Sequence, residues 1–186
     1  TTMLFLITIS FATNAYAICI PNSIGGLKIP FVEQSFFKCL ELPDESLEYL
    51  KKGEKLYKDG EFQLSQEAFN QGINIAQQEL GLSKEVATLI NTVGILYLDH
   101  SDYGNAEKYF ISAIKFSDNF DYNSNIDMMS MLGNLGYVYK LQNISSNNAE
   151  QIFNNAIKKI GINLDKWQIK DLDFNKLVNQ VKKDFK

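Results

Sequence analysis

The chain has 186 residues, a formal net charge of −4 and a hydrophobic fraction of 45%. These values fit a soluble globular domain or a short repeat array that is long enough to bury a core. Every basic residue is Lys, and the basic stripe that nucleic-acid-binding proteins carry is missing, so the sequence argues against a nucleic-acid partner.

Residues 1–17 read as a secretory signal peptide. An uncharged apolar run begins at Met3, and the small-x-small triplet Ala15-Tyr16-Ala17 has the form that signal peptidase cuts after. The run is shorter than the roughly 20 apolar residues that cross a bilayer. Cleavage predicts an exported protein, periplasmic or secreted, without stable membrane insertion, and the Lys-, Asn- and Ile-rich composition suggests a bacterium. An uncleaved anchor and a buried core helix are the alternatives.

Residues 18–43 follow as an N-terminal segment that contains both cysteines, Cys19 and Cys39. In an oxidising compartment an even count favours a disulfide. A bridge over about 20 residues would contribute roughly 3 kcal/mol in the chain-entropy model. Two buried thiols are the alternative. Two cysteines and a single histidine do not make a zinc site, so no metal is predicted.

Helical apolar spacing dominates the rest of the chain. A short helix is expected within 31–40, ended by Pro43, and Asp44 is the expected N-cap of the next helix. The spacing then predicts helices at 44–58, 61–80, 83–99, 103–118, 124–142 and 147–160.

Three units share the same recurring positions. The clearest unit carries Gly94, Tyr97, Tyr103, Ala106, Phe110 and Ala113. The first unit carries Gly53, Leu56, Phe62, Ser65, Phe69 and Gly72, and the third carries Gly136, Tyr139, Ala149, Phe153 and Ala156. A glycine inside a helix costs about 1 kcal/mol relative to alanine, so close approach of a second helix is expected to compensate. Each phenylalanine is expected to fill the space beside its unit's small residues.

These units divide the chain into domains. Residues 44–161 are predicted to form three stacked helical pairs, at about 44–80, 83–118 and 124–160, and residues 162–186 a C-terminal cap. The cap helix is indicated by apolar residues at Phe174, Leu177, Val178, Val181 and Phe185. Trp167 is expected to pack over the last pair.

The sequence Leu-Gly, Tyr, Ala, Phe, Ala resembles the tetratricopeptide repeat. Gly53 and Gly94 are separated by nearly the same number of residues as Gly94 and Gly136. This repeat length is similar to that of the longer variety of the repeat, which is found in kinesin light chain and many bacterial proteins. The resemblance implies an all-α fold, an α-solenoid of about three hairpins that forms a right-handed superhelix. It also implies a concave face that receives an extended peptide or a partner helix.

The first helix of each pair would line that groove. In this variety of the repeat, asparagines on that helix often hold a peptide backbone, because an amide both donates and accepts hydrogen bonds. The residues implied for the groove are Tyr57, Asn91, Ile95, Leu98, Asn134, Tyr137 and Lys140. The asparagines could instead be solvated or bridge neighbouring helices.

No motif indicates catalysis. His100 neighbours Ser101 and Asp102, but adjacent residues of one loop cannot assemble a catalytic triad. Acid–base dyads, phosphate loops and calcium loops are not recognised, so we expect neither an enzyme nor a cofactor. The predicted function is a non-catalytic adaptor or scaffold that binds a protein or peptide. The alternatives are a self-associating (homo-oligomeric) structural subunit of an envelope or secretion assembly, and a helical-scaffold enzyme.

Overall fold

A computed structural model describes residues 41–120, 128–142 and 146–184 of the protein. Every secondary-structure element in these ranges is a helix, which confirms the predicted all-α class. The helices are α1 (Asp44–Lys58), α2 (Phe62–Leu80), α3 (Lys84–Asp99), α4 (Tyr103–Ser117), α5 (Met128–Leu141), α6 (Ser146–Ile160) and α7 (Phe174–Asp184). The predicted signal peptide and both cysteines of the predicted disulfide lie outside the described residues.

The predicted helices agree with the observed ones to within one residue at most ends, and local capping explains several of these ends. The Ser83 hydroxyl accepts a hydrogen bond from the backbone N–H of Val86 and begins α3. The Asp102 carboxylate accepts a hydrogen bond from the backbone N–H of Asn105 and begins α4. The prediction for α1 was wrong: Pro43 is the N-cap, and Asp44 is the first helical residue. There its negative charge complements the helix dipole instead.

The first two helical pairs, α1 with α2 and α3 with α4, are built around the same contact. A Cβ added to Gly53 would lie 2.6 Å from the Phe69 ring, and one added to Gly94 would lie 2.7 Å from the Phe110 ring. Both rings are fully buried. Only glycine permits this approach, so the predicted role of these glycines is confirmed in both pairs.

The two pairs are also joined by side-chain hydrogen bonds between α2 and α4. Gln66 Nε2 donates to Asn105 Oδ1 at 3.3 Å, and the Tyr109 hydroxyl donates to Asn70 Oδ1 at 2.9 Å. Gln66 and Asn70 are one turn apart on α2, as are Asn105 and Tyr109 on α4. The two helices therefore face each other along matching turns.

The third pair departs from this arrangement. The atoms nearest to a Cβ added to Gly136 belong to Phe174 and Val178 of α7, at 3.4 Å, whereas Phe153 of α6 was the expected neighbour. Phe153 instead packs against the Phe174 ring, with 5.4 Å between the centroids. The C-terminal helix thus covers the glycine face of α5, because its aromatic and branched residues fill the space that Phe69 and Phe110 fill in the earlier pairs.

The segment between α6 and α7 is tied to the end of α4. Trp167 Nε1 donates to Asp118 Oδ1 at 2.9 Å, and the Lys166 ammonium donates to the Asp118 backbone carbonyl. Trp167, which was expected to pack over the last pair, thus also bonds to the end of the second pair. Across the described ranges, no helix has the length and apolar character that crossing a membrane requires.

Candidate functional site

Two of the predicted groove residues bond to each other. Asn134 Nδ2 on α5 donates to Asn91 Oδ1 on α3 at 3.1 Å, and both side chains are buried. A buried amide that already has an amide partner is held in place and satisfied in part. The pair therefore links the first helices of two successive pairs, as in the bridging alternative of the sequence analysis.

Two further predicted groove residues belong to the core. Ile95 and Leu98 lie on α3 and are members of the main hydrophobic cluster. The exposed fractions of their side chains are 0% and 4%. A partner could contact them only after whatever covers them has moved, so neither residue offers accessible surface in this conformation.

Tyr57, also predicted for the groove, lies among three other rings near the end of α1. Its centroid is 4.9 Å from that of Phe62, 5.2 Å from that of Tyr97 and 4.7 Å from that of His100. Burial raises the pKa of the Tyr57 hydroxyl above its ordinary value, and the nearby Asp102 carboxylate raises it further. Tyr57 therefore stays neutral and joins the end of α1 to the turn after α3.

Tyr137 and Lys140 are the two predicted residues that remain partly exposed. They are one turn apart near the end of α5, and both interact with other groups of the chain. Burial raises the pKa of the Tyr137 hydroxyl, and the neighbouring Tyr103 adds to this effect. The surface that Tyr137 and Lys140 offer thus adjoins Tyr103, the first residue of α4.

These neighbourhoods form one surface, which we call the turn edge. It is defined by Tyr57, Phe62, His100, Tyr103, Tyr137 and Lys140. Phe62 is the most accessible apolar member, with 56% of its surface exposed, and His100 is exposed beside it. The edge runs from the turn between α1 and α2, over the turn between α3 and α4, to the end of α5.

Sequence reasoning did not assign Phe62, His100 or Tyr103 to the site. A signal for two of them was present: Phe62 and Tyr103 have the same separation as Gly53 and Gly94, and each is the first residue of the second helix of its pair. Repetition of an aromatic residue at a helix start, where propensity does not demand one, marks a shared role. No repetition in the sequence indicates His100, because its contact with Tyr57 depends on how the first two helical pairs pack against each other.

A cluster of tyrosines lies beneath the turn edge. Tyr97 stacks on Tyr109 with 5.3 Å between centroids and 11° between ring planes. Burial is the main cause that raises the pKa of Tyr97, to about 12, and it raises the pKa of Tyr109 as well. Tyr109 has Asn70 as its acceptor, whereas the buried Tyr97 hydroxyl lies near the hydroxyls of Ser65 and Tyr109 without a hydrogen bond of regular geometry. These two buried rings form the base of the edge.

The titratable groups of the turn edge are those of Tyr57, His100, Tyr103, Tyr137 and Lys140. Within the part of the chain that the structure describes, no three His, Cys, Asp or Glu residues converge as metal ligands would. The His100 ring lies against Tyr57 rather than against a nucleophile or a carboxylate dyad. The turn edge therefore consists of aromatic rings, one of them an imidazole, and one lysine side chain.

Comparison with known proteins adds no assignment, since no family model, no curated protein and no solved structure matches this chain.

Proposed function

We propose that the protein is a short tetratricopeptide-type array that acts as a non-catalytic adaptor for a peptide or protein partner. The repeat assignment is supported by two helical pairs whose glycine–phenylalanine contacts, Gly53–Phe69 and Gly94–Phe110, occupy equivalent positions. Close helix crossings at equivalent positions are what stacking of a repeated unit requires. The third unit is completed by α7 rather than by α6 alone.

The observation that carries the binding role is the exposure of Phe62 next to Tyr57, whose ring also contacts that of the exposed His100. An exposed aromatic ring that packs against a second ring gives a partner a large contact area at low entropic cost. Tyr103 and Tyr137 continue this aromatic surface, and Lys140 adds a positive charge at its end. The turn edge thus suits a segment that inserts an apolar or aromatic side chain.

The predicted groove has a secondary role in this proposal. Asn91, Ile95, Leu98 and Asn134 are buried. A partner reaches the turn edge without displacing them, whereas use of the groove requires the array to open. The adaptor would act outside the cytoplasm, as the proposed signal peptide at residues 1–17 implies.

Peptide selection tests this function. The mature chain 18–186 is immobilised, a phage-displayed random peptide library is panned against it, and selected peptides are titrated by fluorescence anisotropy. The edge variant is Phe62→Ala/His100→Ala, in which both changed side chains are exposed. The matched control is Ile152→Ala, which removes an exposed apolar side chain from α6.

We expect the edge variant to weaken binding at least about tenfold, as loss of an aromatic anchor does, and the control to bind like the parent. Equal binding by all three proteins would place the contact elsewhere. If only the Asn91→Ala/Asn134→Ala variant loses binding, the peptide contacts the predicted groove instead of the turn edge. If no peptide is selected and light scattering shows oligomers, the protein is a self-associating structural subunit instead.

A further inference from the structure

The two turns of the turn edge share one backbone conformation. The N–H of Glu61 in the first turn and the N–H of Asp102 in the second each donate to the carbonyl five residues earlier, at 2.9 Å. Gly60 and Ser101, the residues before them, both have a positive φ, of 84° and 61°. Glu61 and Asp102 therefore leave the backbone at equivalent places in the two turns.

An acidic residue and an aromatic residue stand side by side in each turn. Glu61 precedes Phe62, the first residue of α2, and Asp102 precedes Tyr103, the first residue of α4. Asp102 also lies close to the ring against which Phe62 packs, because its carboxylate, after burial, raises the pKa of the Tyr57 hydroxyl. Carboxylates thus border the aromatic surface at both turns.

The two turns have an excess of negative charge. Residues 58–62 and 99–103 contain four carboxylates and one ammonium group, that of Lys58, which gives a formal charge of −3 with His100 neutral. The carboxylates belong to Asp59, Glu61, Asp99 and Asp102. Lys140, the lysine of the turn edge, lies on α5 at the other end of the edge. A partner at the two turns therefore meets mainly carboxylates.

Two of these carboxylates, next to Phe62 in the sequence, make no side-chain bond within the fold. Asp59 and Glu61 are exposed, and within the described ranges neither forms an ion pair. Glu61 is the N-cap residue of α2, but its side chain makes no cap hydrogen bond, whereas the Asp102 carboxylate accepts one from Asn105. Asp59 and Glu61 can therefore pair with a cation of a partner without losing an internal contact.

We propose that the segment bound by the turn edge is basic, with an arginine beside the apolar or aromatic side chain that contacts Phe62; this inference rests on the proposed function. A guanidinium group stacks on an aromatic ring and forms paired hydrogen bonds with a carboxylate, so Phe62 and Glu61 suit it together. A second copy of this chain does not fit the description, because all of its basic residues are lysines.

Peptide libraries of defined charge test the proposal. Three phage libraries present an apolar or aromatic anchor flanked by Arg and Lys, by Asp and Glu, or by Ser, Asn and Gln, and they are panned together against the protein. We expect the basic library to supply most of the peptides whose binding is lost in the Phe62→Ala/His100→Ala variant.

The selection separates this proposal from the proposed function. Peptides that depend on Phe62 and His100 but are acidic or uncharged would overturn the proposal and leave the proposed function intact. If no peptide depends on these two residues, the proposed function fails, and this proposal fails with it.

The charge contact is then tested from both sides. In the protein, Asp59→Asn/Glu61→Gln removes two carboxylates, and the matched control Glu48→Gln/Glu79→Gln removes two exposed ones from the opposite end of the same helical pair. In the peptide, citrulline replaces arginine, which removes the charge and keeps the shape. We expect the turn variant and the citrulline peptide each to weaken binding at least about threefold, and the control to bind like the parent.

The two changes together should weaken binding by less than the product of their separate effects, since both remove the same contact. Binding by the parent should also weaken as the sodium chloride concentration rises from about 50 to about 500 mM, and binding by the turn variant should weaken less. Independent effects of the two changes, or an equal loss in the control variant, would overturn the proposal.

Discussion

Asn134 on α5 donates a hydrogen bond to Asn91 on α3, and the two amides are buried at the place where the first helices of successive pairs meet. In water each amide would make several hydrogen bonds, which burial removes. The burial is tolerated because the hydrogen bond between the two amides replaces part of this loss. This relationship gives both residues a structural role that is independent of any ligand, and it can be separated from binding by measurement.

Asn134→Ala should lower the free energy of unfolding by about 1–3 kcal/mol, because it removes the donor and leaves the Asn91 amide buried without this partner. Urea denaturation followed by circular dichroism measures the change. Asn155→Ala, at an exposed position of α6, is the control and should stay within about 0.5 kcal/mol of the parent. If Asn134→Ala keeps the stability of the parent but no longer binds a selected peptide, the asparagines bind a ligand instead of stabilising the fold.

Gly94→Ala should destabilise the protein by about 1–3 kcal/mol, because the new methyl group would overlap the buried Phe110 ring. Gly104→Ala is the matched control on the neighbouring helix α4, where the nearest side-chain atom to an added Cβ is 4.0 Å away. There the substitution should raise stability by up to about 1 kcal/mol, since alanine favours helix. Equal effects at both glycines would contradict the close crossing.

The helices could be predicted because local chemistry determines them. Apolar spacing, together with Ser83 and Asp102 as caps, fixes α3 and α4 almost to the residue. The glycine contacts of the first two pairs also followed from the sequence, because Gly94 and Phe110 repeat the spacing of Gly53 and Phe69.

The third pair and the site depend on packing between distant segments, which periodicity does not reveal. The repeat pattern predicts Phe153 beside Gly136, but Phe174 of α7 takes that place. Ile95 was assigned to an open groove from its position on α3, whereas its side chain is fully buried. The contact between His100 and Tyr57 joins residues of two different helical pairs, and no local rule pairs them.

The stability of the protein should fall as the pH rises from about 10 to about 12. Burial, the main cause, holds the pKa of Tyr97 at about 12, above its ordinary value of 10.0. A tyrosine whose pKa is higher in the folded than in the unfolded protein contributes its full stabilisation at pH values below the unfolded-state pKa. This stabilisation is lost as the pH rises through the folded-state pKa. Thermal melting at intervals across this range measures the loss, and a flat profile would contradict it.

Tyr97→Phe should leave the melting temperature at neutral pH unchanged or raise it, because the buried hydroxyl that it removes makes no hydrogen bond of regular geometry with its neighbours Ser65 and Tyr109. It should also reduce the loss of stability above pH 10. Tyr109→Phe is the informative comparison, since it removes the bond to Asn70 and should cost about 0.5–1.5 kcal/mol. A larger loss in Tyr97→Phe than in Tyr109→Phe would mean that the Tyr97 hydroxyl has a partner in solution.

The packing of α7 on α5 can be tested by a compensating pair. A Cβ added to Gly133 would lie 2.7 Å from Cγ2 of Val181, so Gly133→Ala should destabilise the protein by about 1–3 kcal/mol. Val181→Ala alone should also destabilise it, because a buried branched side chain is truncated. The double variant should be more stable than the sum of the two losses predicts, since the added methyl group occupies the space that the valine vacates. Strict additivity in urea denaturation would mean that α7 does not lie on the glycine face of α5 in solution.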